Sequence, residues 1–199
     1  MKESLKSRLQ RKDILTIPNL LSLFRLALIP AIVILYIQEF NYGSVALIAL
    51  SALTDIADGW IARHFQMVSD LGKFLDPVAD KLTQIAALSC LILRYPWAIL
   101  LVALLILKEL FQLTLGIIVL KKTNVVNSAR WFGKLNTVVL YATMILLFLF
   151  PDISPSLSEL LFVLCAATML FSMLLYGRFF HSIIKHAENS NEKKTDTTV

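Results

Sequence analysis

A chain of 199 residues with 57% hydrophobic and 17% charged residues, and a mean hydropathy of +0.72, lies outside the range of soluble domains and reads as a membrane protein. Six glycines and six prolines are too few for a fibrous or low-complexity chain, and two isolated cysteines, Cys90 and Cys165, exclude a disulfide scaffold and a cysteine-ligated zinc site. The formal charge of +5 follows membrane topology, so no nucleic-acid partner is expected.

Residues 1–17 form a basic arm in which Lys2, Lys6, Arg8, Arg11 and Lys12 alternate with Leu5, Leu9 and Ile17. It reads either as a short amphipathic helix on anionic headgroups or as a plain topology anchor. Apolar stretches follow at 18–38, 43–62, 76–94, 96–120, 135–151 and 156–184. Each approaches the roughly 20 residues that cross about 30 Å of hydrocarbon, which predicts an all-α integral membrane fold of six transmembrane helices. The second and third stretches carry Asp55, Asp58, Asp76 and Asp80 at their facing ends, so hydropathy alone would score four or five spans. Asn41-Tyr42-Gly43, Tyr95-Pro96 and the Pro151 to Pro155 segment read as turns. Such short connections predict one membrane domain over 1–185, followed by a polar, disordered tail over 186–199. Fifteen lysines and arginines fall in the arm, the 63–75 loop, the 121–134 loop and the tail, against Arg94 alone on the opposite side. Both termini are therefore expected to be cytoplasmic.

The four aspartates need a reason, since a carboxylate at the centre of a spanning helix costs on the order of 2.5–3.5 kcal/mol. Asp55 and Asp58 are three apart and Asp76 and Asp80 four apart, so each pair shares one helix face, and the intervening loop turns the two faces toward each other. Four facing carboxylates cannot all stay ionised without cations. Oxygen donors with no histidine or cysteine among them suit magnesium or manganese, and two such ions would balance four charges and form a clamp for displacement at phosphorus. Gly59 and Gly72 leave room for a close approach, and Arg63 offers a fork for phosphate. Structural readings stand beside this one: Asp76 before Pro77 has the form of a helix N-cap, and Asp58 with Arg63 or Asp80 with Lys81 of simple ion pairs. Capping accounts for one aspartate of four, and the joint spacing favours a metal site.

The run from Asp55 to Asp80, D-x-x-D-G-x-x-A-R-x8-G-x-x-x-D-x-x-x-D, is similar at every fixed position to the signature of the CDP-alcohol phosphatidyltransferase family. The six-span layout and the entry segment from Ile17 to Arg25 resemble that family too, so the likeness extends to about residue 185. It implies transfer of a phosphatidyl or similar group from a CDP-linked donor to an alcohol, with release of CMP. By position it implies Asp55, Asp58, Asp76 and Asp80 as ligands of magnesium or manganese, with two ions expected. Asp80 would also be the catalytic base for the attacking hydroxyl. Asn19, Arg25, Asp58, Gly59, Ala62, Arg63 and Gly72 would bind the CDP donor. A homodimer in a bacterial cell membrane is the implied setting.

The string from Asp70 to Leu82 resembles the phosphatidylglycerophosphate synthase branch, whose donor is CDP-diacylglycerol and whose acceptor is glycerol 3-phosphate. Lys73, Lys108, Arg130 and Lys134 are the candidate cations for such an acceptor. Asn136 stands where that branch usually has lysine, which brings Gly133-Lys134-Leu135-Asn136-Thr137 about as near to the cardiolipin synthases, whose acceptor is phosphatidylglycerol. Lys108 has an ion pair with Glu109 or with the aspartate cluster as its structural alternative, and Arg130 has topology. An ion transporter with aspartates along its path, or a non-catalytic scaffold, would not demand the glycine spacing or the complete set of aspartates.

Overall fold

The computed structural model describes residues 16–64, 72–123 and 131–196, with backbone alone at Gly59, Ala62, Arg63, Lys73, Phe74, Lys122, Thr123 and 186–196. The basic arm before residue 16 lies outside the described residues, as does Arg130. Regular structure among the described residues is entirely helical: α1 (Ile17–Ile37), α2 (Asn41–His64), α3 (Gly72–Cys90), a 3-10 turn (Leu91–Leu93), α4 (Ala98–Thr123), α5 (Trp131–Leu149) and α6 (Pro155–Asp196). Four of these, α1, α4, α5 and α6 as far as Lys185, are long and apolar enough to cross a membrane. Helices α2 and α3 have the length, 24 and 19 residues, but their aspartates and lysines lower the hydropathy.

The chain divides into two compact units. The first holds α1, α2 and α3 with the end of α5, Met144–Pro151. In it α1 packs against both α2 and α3. Its inward face is Pro18, Asn19, Ser22, Arg25, Leu28, Ile32 and Tyr36, at helical spacing. Leu20, Leu23, Phe24 and Ile34 lie on the outer side and are exposed, as expected of a surface that meets lipid. On α2 the inward face is Ser44, Ile48, Ser51, Asp55 and Asp58, with small residues where α1 comes close. Tyr36 closes the far end against Phe148, ring centroids 4.4 Å apart, and the Tyr95 hydroxyl donates to the Pro151 carbonyl at 3.2 Å.

The turn between α1 and α2 falls at residues 38–40, earlier than the expected Asn41-Tyr42-Gly43. Glu39 takes the left-handed conformation, φ 59°, and the Phe40 amide donates to the Leu35 carbonyl at 2.9 Å. Gly43 instead sits in α2, where the Phe40 ring occupies the space a side chain would fill. It serves close packing and not the reversal.

In the second unit α4 packs against α6. The start of α5 meets α6 through Phe132 and Tyr176, whose rings stand edge to face at 4.5 Å. A Cβ on Gly133 would lie 2.6 Å from the Tyr176 hydroxyl, so glycine is what lets that ring lie across α5. Helix α6 continues to Asp196, through most of the segment expected to be a disordered tail. The stretch contains no glycine or proline, and its alanine, glutamates and lysines are good helix formers, so polarity alone does not end the helix.

Candidate active site

Helix α1 collects the aspartates. Thr16 caps it, accepting the Asn19 amide on its hydroxyl at 3.4 Å, and Pro18 in the first turn presets the helical φ. Asn19, Ser22 and Arg25 are thereby set on the buried face one turn apart. Arg25 is completely buried, and its guanidinium forks to α2, with Nη1 on Asp55 Oδ1 at 2.7 Å and Nη2 on Asp58 Oδ2. Ser22 donates its hydroxyl to Asp76 on α3. Two α1 residues three apart therefore reach both halves of the spaced motif, Arg25 both aspartates of α2 and Ser22 the first aspartate of α3.

The four carboxylates sit at different depths. The Asp58 side chain is buried at 4% exposure, whereas Asp55 is 45% exposed, so the α2 pair runs from the interior to an open face. Asp80 is partly buried. It accepts from Gln84 Nε2 on both oxygens, at 3.1 and 3.0 Å, and has Lys81 Nζ at 3.4 Å, the ion pair set out as its structural alternative. The Asp55 carboxyl lies within electrostatic reach of both Asp80 and Asp76. Asp76 is not an N-cap: α3 begins at Gly72, and both Asp76 and Pro77 are inside it. Near a helix start proline forfeits a single internal hydrogen bond, so the helix runs through it.

Among the described residues, no three His, Cys, Asp or Glu side chains converge closely enough to hold a metal ion together. Arg25 instead holds Asp55 and Asp58 together, Ser22 holds Asp76, and Gln84 and Lys81 hold Asp80. The donor set itself, four carboxylates and no nitrogen or sulfur ligand, fits a hard divalent cation.

Of the remaining expected site residues, Asn19 is buried on α1 and Gly72 opens α3. Gly59, Ala62 and Arg63 lie on α2 and Lys73 on α3, with side chains outside the described set. Lys108 and Lys134 belong to the second unit. Lys108 is buried and ion-paired with Glu109, its structural alternative, while Lys134 is exposed on α5. His64 ends α2 stacked on Trp60, ring centroids 4.9 Å apart. Sequence reasoning missed Ser22 and Gln84 altogether. The available signals were a hydroxyl one turn before Arg25 on the same α1 face, and an amide one turn after Asp80.

The model of the CDP-alcohol phosphatidyltransferase family matches residues 15–176, which takes in all of this constellation. The chain belongs to that family. As a CDP-alcohol phosphatidyltransferase it is a transferase of phospholipid biosynthesis and an integral membrane protein, in a family that generally uses divalent metals. It is 33% identical over 173 residues to a CDP-diacylglycerol–glycerol-3-phosphate 3-phosphatidyltransferase of Salmonella choleraesuis, covering 80% of this chain and 92% of that protein. A protein of the same name from Bacillus subtilis is 33% identical over 136 residues, 61% of this chain and 70% of the relative. A cardiolipin synthase (CMP-forming) / mitochondrial hydrolase fusion protein of Schizosaccharomyces pombe is 38% identical over 96 residues. That match takes in 48% of this phosphatidyltransferase and 16% of the fusion protein.

Proposed function

We propose that this phosphatidyltransferase moves a phosphatidyl group from CDP-diacylglycerol to glycerol 3-phosphate, releasing CMP and forming phosphatidylglycerophosphate. The observation that supports the reading is the contact of Arg25 with Asp55 and Asp58 and of Ser22 with Asp76, which links three of the four motif carboxylates through one helix, with Asp80 one turn beyond Asp76 on α3. The near full-length likeness to glycerol-3-phosphate enzymes supports that acceptor.

In this reading Asp55, Asp58, Asp76 and Asp80 hold magnesium or manganese, two ions in all. Bound metal would draw charge from the donor diphosphate and favour departure of the CMP oxygen. Asp80, positioned by Gln84, takes the proton from the acceptor hydroxyl as that oxygen attacks the β-phosphorus and the bond to the CMP oxygen breaks. Asn19, Gly59, Ala62, Arg63 and Gly72 bind the CDP group. The acceptor phosphate is bound by Lys134, with Arg130, Lys73 and Lys108 contributing. All six helices cross a bacterial cell membrane with both termini cytoplasmic. The aspartates then face the compartment that supplies a water-soluble nucleotide and acceptor. The enzyme works as a homodimer.

A second reading is favoured by one observation: the fusion protein from Schizosaccharomyces pombe is named a cardiolipin synthase. With Asn136 where the glycerol-3-phosphate branch usually has lysine, phosphatidylglycerol is the rival acceptor. The test is purified protein supplied with CDP-diacylglycerol, magnesium and a panel of alcohols. CMP release with glycerol 3-phosphate, abolished by EDTA, is expected; release with no alcohol on the panel would refute the assignment.

A further inference from the structure

We propose that Arg25 is a built-in counter-cation of the aspartate cluster, a positioning residue that holds Asp55 and Asp58 in register before any divalent ion arrives. The inference rests on the metal-site reading above. Its basis is geometric: a fully buried guanidinium on α1 reaches two carboxylates on α2, at 2.7 Å for Asp55, with Asp58 also buried.

Without that guanidinium, two carboxylates three residues apart on one helix face would repel each other in a low-dielectric setting. Arginine is suited to the task. It stays protonated at any pH the protein meets, and its planar fork can serve two acceptors at once, where lysine would serve as a single point charge. Ser22, one turn back, donates to Asp76 of the other aspartate pair, so the same α1 face touches both halves of the site. A divalent ion and Arg25 then act on the same carboxylate charge. Each should lessen the dependence of the fold on the other, and loss of Arg25 should leave a protein whose stability depends on metal.

The experiment compares the full chain with Arg25→Gln and Arg25→Lys, each purified in lipid nanodiscs. Thermal unfolding is followed with a thiol-reactive dye that reports exposure of Cys90 and Cys165, both free and buried. In EDTA, Arg25→Gln should lose roughly 10 °C in Tm, as expected for one partner removed from a buried ion pair. Millimolar magnesium should restore several degrees of that loss while raising the wild type much less. Arg25→Lys should fall between the two in both respects. If Arg25→Gln is too unstable to purify, Arg25→Lys carries the comparison, with a larger magnesium-dependent gain than the wild type expected. Equal losses with and without magnesium, no loss in EDTA, or a gain in Arg25→Lys no larger than that of the wild type would overturn the inference. Absence of any magnesium effect on all three proteins, together with no heat of binding on titrating magnesium into the wild type, would overturn the metal reading and this inference with it. A wild type that binds magnesium beside variants with metal-independent losses would overturn the role of Arg25 alone.

Discussion

Gln84 donates from its amide nitrogen to both carboxylate oxygens of Asp80, at 3.1 and 3.0 Å, across one turn of α3. Gln84 is almost fully buried, so its amide is held by packing and in turn fixes the carboxylate plane. Gln84→Met, which keeps the volume and removes the donor, should lower kcat by roughly 10-fold, within the range of a hydrogen bond to a charged group. The KM for CDP-diacylglycerol should change little. Gln84→Glu is closer in shape but sets a second carboxylate against Asp80, and should be the worse of the two. The opposite ranking in steady-state assays would make Gln84 a packing residue only.

Asp80 itself is expected to act on the proton of the acceptor hydroxyl. Asp80→Asn should lower kcat by roughly 10²- to 10⁴-fold, the usual loss for a removed general base, with a smaller change in donor affinity. A variant that fails to bind donor yet keeps its kcat would remove Asp80 from that role.

Asp58→Asn should abolish transfer while leaving the protein inserted. Neutralising one ligand of a carboxylate cluster weakens metal binding steeply. The fold should tolerate the change because Arg25 keeps its 2.7 Å contact with Asp55, so the loss should be below the roughly 3–5 kcal/mol of a fully broken buried pair. Retention of near-normal turnover at low magnesium would contradict the metal site.

These residues also mark where sequence ceased to be informative. The aspartate pairs were legible because three- and four-residue spacings fix a common helix face whatever the tertiary structure. Lys81, next to Asp80, was legible as its partner, but the α1 partners were not: Arg25 lies 30 residues from Asp55, and Ser22 lies 54 from Asp76, separations that only helix packing can close. Asp76-Pro77 had the form of a cap, but local chemistry cannot tell a first turn from a second when the helix begins upstream at Gly72. Gly43 had the form of a turn, yet it answers to the Phe40 ring packed on it. The long helical stretches came through in order because their apolar runs are long, with ends displaced by a few residues, except at the end of α6, which runs on through the polar segment to Asp196.

The acceptor is the remaining choice, and the second unit bears on how it can be tested. Lys134 is exposed, so Lys134→Ala removes a cation at little structural cost, whereas Lys108 is buried against Glu109 and Lys108→Ala also breaks that pair. Lys134→Ala is therefore the cleaner probe. If glycerol 3-phosphate is the acceptor, loss of one charge-assisted phosphate bond of about 1.5–3 kcal/mol should raise its KM by roughly 10- to 100-fold, with kcat near normal. Phosphatidylglycerol would draw much of its binding from its acyl chains in the bilayer, and the same substitution should change its use by less than about 3-fold. Product analysis with labelled CDP-diacylglycerol completes the comparison. Phosphatidylglycerophosphate is the expected product, and its loss in Lys134→Ala should be recovered at high glycerol 3-phosphate. Labelled cardiolipin, with glycerol 3-phosphate inert in the wild type, would instead move the enzyme to the rival acceptor and leave the chemistry of the four aspartates unchanged.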